Sequence, residues 1–160
     1  MKTFLFILIG LFVVGGGLLM VWKYSNQGQV KGARITNPSK IEITEKSFDF
    51  GKINLSDRVS HDFKIKNTSQ NPLIISSITT SCHCATAVLK VPGQPDTAPQ
   101  GMHASADVQR EVAPGVEGVI EVIYEPAKMP VKGPVNRVIY FKTNDPDNSS
   151  PKLEVNAEVL

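Results

Sequence analysis

The sequence predicts an all-β fold, an antiparallel β-sandwich of about seven to eight strands preceded by one transmembrane helix. Three observations predict it. Apolar and polar residues alternate through successive short segments after residue 41. Clusters of Asn, Asp, Pro and Gly separate those segments at regular intervals. Ahead of them Phe4 to Trp22 runs without a charged or hydrogen-bonding aliphatic side chain.

The apolar run comes first. Nineteen helical residues reach about 28 Å, close to the hydrocarbon thickness of a bilayer. Trp22 and Tyr24 suit the headgroup boundary, and Lys2 and Lys23 bracket the run. The rival reading is a cleaved signal peptide centred on Phe4 to Val14, with Gly15 and Gly17 before the cut. The mature chain would then begin Leu18-Leu19-Met20-Val21-Trp22, an odd start for a soluble domain. Residues 1–23 therefore read as an uncleaved signal-anchor that puts residues 4–22 in the membrane. Residues 24–40 are polar, with two glycines and a proline, and read as a tether.

Residues 41–160 are enough for one core. Ile41 and Ile43 alternate with Glu42 and Thr44. Phe48-Asp49-Phe50-Gly51 puts two aromatics on one face and then turns. Val59, His61, Phe63 and Ile65 share a face opposite Ser60, Asp62, Lys64 and Lys66. Asn67 to Pro72 is turn chemistry. Leu73 to Thr80, Ala85 to Val91, Val119 to Tyr124 and Val135 to Thr143 are strands by composition. Turns at Pro114-Gly115 and Asn144 to Asn148 precede a regular alternation of Leu153, Val155, Ala157 and Val159. Residues 92–115 break the rhythm, too long for a hairpin, and carry Met102 and His103 behind Gly101.

Charge narrows the function. Removing Lys2 and Lys23 from the 17 basic residues leaves 15, equal to the 15 acidic ones, all of which follow residue 23. No basic stripe remains, which argues against nucleic-acid binding. Enzyme motifs are missing too: there is no G-x-S-x-G elbow, H-E-x-x-H pair or phosphate loop. His61 and Asp62 diverge on a strand and make no dyad; His61 reads as a structural histidine. The Asn54, Asn67 and Asn148 triplets read as turn composition rather than glycosylation sites. The chain reads as no enzyme.

The chemistry concentrates at Cys82-His83-Cys84, which holds the only two cysteines. If the segment is an extended strand, both thiols project from one face about 6.6 Å apart along the chain. That is near the upper limit for a disulfide, so a bridge would need a curled backbone. As thiolates they offer two soft donors; Met102 adds a thioether, His103 an imidazole, and Met129 is a further candidate. Such a set selects Cu(I). Zinc favours wider cysteine spacing and a closed set of four Cys/His ligands. His83 alternates to the other face and joins only if the strand bulges. Three readings stay open: a Cu(I) site, a disulfide or buried thiols, and a thiol–disulfide redox pair. The last lacks the usual Cys-x-x-Cys at a helix start.

In order, Phe48-Asp49-Phe50-Gly51, His61 to Thr68, Pro72 to Ile75, Ser81-Cys82-His83-Cys84, Pro114-Gly115 and Thr143-Asn144 resemble the bacterial domain of unknown function 1573. The resemblance spans roughly residues 44 to 159. It implies an immunoglobulin-like sandwich related to the ASH and hydin-type domains of cilia and centrosomes, exported or membrane-tethered, with no settled activity. The family motif usually reads Ser-Cys-Gly-Cys-Thr; here His83 and Ala85 replace the glycine and threonine. Gly101-Met102-His103 resembles the insertion of one subgroup, in which a histidine often follows an Asp-Pro after the next strand. Here Met129 stands near that place. Positive charge at Lys23, Lys31 and Arg34 does not orient the anchor outward. The strand pattern and the resemblance do: the expectation is a single-pass membrane protein whose folded part lies outside the cytoplasm, in a periplasm or at the cell surface. Its function is binding or structural, toward another protein or an envelope component.

Overall fold

The computed structural model describes residues 38–103 and 108–160. The expected membrane span at Phe4 to Trp22, and residues 24–37 of the tether, lie outside them. Among the described residues no helix is long and apolar enough to cross a membrane.

Nine strands form among the described residues: β1 (Ile41–Ile43), β2 (Ser47–Ile53), β3 (Val59–Asn67), β4 (Leu73–Thr80), β5 (Ala85–Lys90), β6 (Gln109–Val112), β7 (Glu117–Tyr124), β8 (Gly133–Thr143) and β9 (Lys152–Val159). A single 3-10 turn, Pro126–Lys128, joins β7 to β8. One sheet has the order β1-β3-β7-β5 and the other β2-β9-β8-β4-β6. The fold is thus all-β and two-layered, as expected. The strand count exceeds the expected seven to eight because a short edge strand, β6, takes part.

The alternation on β3 places Phe63 and Ile65 inside and Ser60, Asp62, Lys64 and Lys66 outside. Leu153, Val155, Ala157 and Val159 of β9 are all buried. Leu153 and Val155, together with Ile75 and Ile78 of β4, Ile139 and Phe141 of β8, and Ile120 and Val122 of β7, build the main core from both inner faces. Side chains that alternate in and out are what a sheet with one buried face requires.

Three expectations are corrected. The sandwich is not wholly antiparallel: β2 pairs β9 in parallel, Ser47 opposite Glu154. The chain changes sheets between Ile43 and Ser47, so β2 enters its sheet without a hairpin to reverse it. Gly51 does not end a strand; it sits inside β2 with φ +68° at a register shift between Asp49 and Lys52. Its N–H donates to Asp49 Oδ1 at 2.8 Å, so the glycine serves a bulge rather than a turn. Finally, residues 92–115 are not one excursion. Gln109–Val112 pair with β4, Leu73 opposite Val112.

The remaining connection, residues 91–103, follows the outer edge of β5. Ala87 and Gln100 exchange both backbone hydrogen bonds at 2.8–2.9 Å. Thr97 N–H donates to Leu89 O at 3.1 Å, and Leu89 N–H donates to Thr97 Oγ1 at 2.9 Å. An edge that would otherwise expose a row of unpaired groups is covered by the chain's own loop. Ser39, near the end of the expected tether, is buried and donates to Pro72 O at 2.8 Å. Asn67 is fully buried, with its amide shared between Asn71 O and Val112 O at 2.8 Å each. That agrees with reading its triplet as turn chemistry. His61 bonds Glu45 Oε2 at 2.9 Å and stacks on Phe48 with centroids 3.6 Å apart, a structural role.

Candidate functional site

β4 carries an irregularity that prepares the site. Its buried residues are Leu73 and Ile75, then Ile78 and Thr80. The parity changes at Ser76-Ser77, where the pairing with β8 shifts and Ser77 takes φ +54°. One extra residue flips the side-chain phase, so Thr80 faces inward at the end of the strand. Its Oγ1 donates to Cys82 O at 2.8 Å and to Ala85 O at 3.0 Å. That hydroxyl bridges both limbs of a tight reversal.

Cys82-His83-Cys84 is that reversal, and this corrects the expectation of a strand. It carries the chain from β4 in one sheet to β5 in the other. The curled backbone brings the two Cα atoms to 5.3 Å, and Cys82 and Cys84 are joined by a disulfide. Both cysteines are buried, at 5% and 1% exposure, whereas His83 is exposed. The disulfide belongs to a second apolar cluster with Ile53, Ala85, Tyr124, Val135, Ala157 and Val159. Cys84 O accepts the Glu125 N–H at 2.8 Å, which draws the 3-10 turn to the same end of the sandwich.

The methionine-bearing loop comes to this end as well. Gly101 O accepts the Thr80 N–H at 3.0 Å, two residues before Cys82. The rings of His83 and His103 then lie with centroids 6.0 Å apart. Met102 is exposed beside them in sequence, and Met129, exposed, ends the 3-10 turn. The structure therefore brings His83 and His103 together at the rim and keeps the sulfurs of Cys82 and Cys84 on each other. Among the described residues no group of three or more His, Cys, Asp or Glu is arranged to hold a metal ion. A Cu(I) site built on both cysteines needs the disulfide opened, since only thiolates are soft anionic donors.

Two residues at the site gave no signal in the sequence. Arg137 of β8 places Nε 3.1 Å from Cys84 Sγ, across 53 positions of chain. Its guanidinium carbon lies 5.8 Å from the centre of the Tyr124 ring. Tyr124 is buried, and its hydroxyl has no hydrogen-bond partner among the described residues. A basic residue on an alternating strand looks like any solvated face, so only the fold could reveal this contact.

Residues 41–100 match the profile of the family described as Protein of unknown function (DUF1573). A protein of unknown function from Porphyromonas gingivalis W83 has a similar structure, with a TM-score of 0.60 at 20% identity over 81% of this chain and 51% of that one. This chain thus spans about half of that protein's length. The ASH / PapD-like domain of human CEP192 (PapD-like domain 7) aligns with a TM-score of 0.51 at 9% identity, over 77% of this chain and 87% of that one. Part of a family 123 glycoside hydrolase from Clostridium perfringens aligns at 0.53 and 10% identity, covering 78% of this chain and 27% of the hydrolase. At such identities the likeness is one of fold. No curated protein matches the sequence. Residues 41–100, which include the disulfide-bonded Cys82 and Cys84, match the DUF1573 profile, and the two-sheet sandwich is similar in fold to the ASH / PapD-like domain.

Proposed function

We propose that this chain is a membrane-anchored, extracytoplasmic immunoglobulin-like module that binds a partner protein and has no catalytic activity. One observation carries the reading. Five large apolar residues are exposed among the described ones: Met102, Met129, Val131, Tyr140 and Leu160. All but Tyr140 lie on connections or the terminus at the disulfide end. Gly101 is bonded to Thr80, Glu125 to Cys84, and Leu160 N–H to Ile53 O at 2.9 Å. Apolar side chains gathered at one end suit a protein contact. The Cys82–Cys84 disulfide suits an oxidising compartment, and the Phe4 to Trp22 run supplies the anchor.

The test is site-specific photo-crosslinking of the full chain in its native membranes. A crosslinker at Val131 or Met102 is expected to yield a discrete protein adduct, and one at Asp147, on the β8–β9 turn, none. Adducts at neither Val131 nor Met102 overturn the reading. Labelling of the reduced cysteines in intact cells by a membrane-impermeant maleimide tests the side of the membrane.

A second reading has its own support. The rings of His83, between the two cysteines, and His103, next to Met102, have centroids 6.0 Å apart, and reduction would add two thiolates. We propose this as an alternative Cu(I)-binding site of the reduced chain. Anaerobic titration of the full chain with Cu(I) against a competing chelator tests it.

A further inference from the structure

The geometry points to the Cys82–Cys84 disulfide as a reversible redox couple whose leaving sulfur, Cys84, is held by Arg137. Three observations converge on it. The contact is direct: Arg137 Nε stands 3.1 Å from Cys84 Sγ. The Tyr124 ring lies against the same guanidinium, 5.8 Å from its carbon, and Arg137 Nη1 donates to Asn136 O at 3.0 Å. The cation is thus braced on two sides. The two sulfurs are also unequal, since Cys82 keeps more exposure than Cys84.

A disulfide sulfur is a weak, neutral hydrogen-bond acceptor. A thiolate in the same place accepts a charge-assisted bond, roughly twice as strong as a neutral one. Arg137 therefore stabilises the reduced, ionised state of Cys84 more than the oxidised state. Among the described residues, a charged neighbour of Cys84 is Glu125, whose amide donates to Cys84 O. Its carboxylate is engaged by Arg58 at 3.7 Å and by Lys128, so it does not cancel the cation. His83 lies between the cysteines in sequence but is exposed, facing the His103 ring.

The exchange balances as follows. An external thiolate attacks Cys82 Sγ. A mixed disulfide forms there, the Cys82–Cys84 bond breaks, and its electron pair leaves on Cys84 as a thiolate against Arg137. A second external thiolate attacks the external sulfur of the mixed disulfide and releases Cys82 as a thiolate. The external thiols end as their disulfide, two electrons poorer, and the protein as a dithiol, two electrons richer. A leaving thiol of low pKa departs faster, which is what Arg137 provides. The co-reactant is a low-molecular-weight or protein thiol, and reoxidation by its disulfide reverses every step.

The test uses the full chain in detergent. Glutathione at varied ratios to its disulfide is expected to reduce and reoxidise the pair reversibly, read by thiol trapping and mass spectrometry. In Cys82→Ser the remaining Cys84 is expected to be alkylated by iodoacetamide with a pH midpoint below the ordinary thiol value of about 8.5. Arg137→Gln in that background should raise the midpoint by about one pH unit, with Arg137→Lys intermediate. In Cys84→Ser the Cys82 midpoint should not respond to Arg137→Gln. With both cysteines present, Arg137→Gln should slow reduction by about five-fold. Thermal melts of each variant show that the fold is kept. If Arg137→Gln misfolds, the Lys variant and the comparison of the two serine variants still decide. A pair that stays oxidised in excess thiol, or a Cys84 midpoint indifferent to residue 137, overturns the proposal.

Discussion

The Asp145 carboxylate accepts the backbone N–H of Ile41 at 3.0 Å, tying the β8–β9 turn to the first residue of β1. The same side chain accepts from Asp147 N at 2.9 Å and Asn148 Nδ2 at 3.1 Å, and it is 1% exposed. Burial pushes its pKa up, but hydrogen bonds from Ile41, Asn148 and Asp147 outweigh that and hold it below the usual 3.8. A depressed folded pKa makes a contribution that is whole above the unfolded value. It is lost as pH falls through the lower folded value. Asp145→Ala should cost about 2–3 kcal/mol near neutral pH by leaving buried donors unpaired. Denaturant melts should show that difference shrinking below about pH 4, where protonation of the wild-type carboxyl removes the same bonds. A difference that does not change with pH counts against the charge.

Gly118 is required by close packing. A Cβ there would lie 3.1 Å from Lys90 O and 3.6 Å from the Ile65 side chain. Lys90 belongs to β5, and its carbonyl is backbone, so relief means moving a strand. Gly118→Ala should destabilise by about 1–2 kcal/mol despite the better strand propensity of alanine, and Gly118→Val by more. Equilibrium unfolding checks the order.

How much of this was legible in the sequence varies by element, and the reason is physical. β3 and β9 declare themselves because a sheet with one wet face writes its burial as alternation. β6 does not: Gln109, Arg110 and Glu111 are polar, and only Val112 is buried. It is a strand by pairing with β4, and pairing leaves no local trace. The Cys82–Cys84 segment is apolar and flanked by strands, so alternation extended straight through it. What turns the chain is the phase flip at Ser76-Ser77 and the Thr80 hydroxyl, which donates to both Cys82 O and Ala85 O. In the sequence, the approach of the Met102-His103 loop to the cysteines was one open reading among three. Its cause, Gln100 pairing along β5 and Gly101 bonding to Thr80, needed the fold.

Thr97 holds the loop on the edge of β5. Its hydroxyl accepts the Leu89 N–H at 2.9 Å in a buried place. Thr97→Val keeps the shape and removes the acceptor, which should cost about 1–3 kcal/mol. Hydrogen exchange should speed up at the Leu89 amide and leave the β3–β7 ladder slow. Acceleration spread evenly over the sandwich would mean that the loop is not a separate cover.

The copper reading makes a prediction that turns on oxidation state. With Cys82 and Cys84 joined, the soft thiolates are absent and the rim offers the His83 and His103 imidazoles and the Met102 thioether. Reduction adds the thiolates that favour Cu(I). The reduced full chain should therefore compete for Cu(I) with a chelator that strips the oxidised chain. His83→Ala and His103→Ala should each weaken the reduced chain by at least about ten-fold if both rings coordinate, as loss of groups around a metal commonly does. Met102→Leu should weaken it further. Met129 ends the 3-10 turn, drawn to this end by the Cys84–Glu125 bond, so Met129→Leu reports whether the ligand set extends that far. Equal Cu(I) affinity in oxidised and reduced chains, or affinity unchanged by Cys82→Ser and by Met102→Leu, rules the site out.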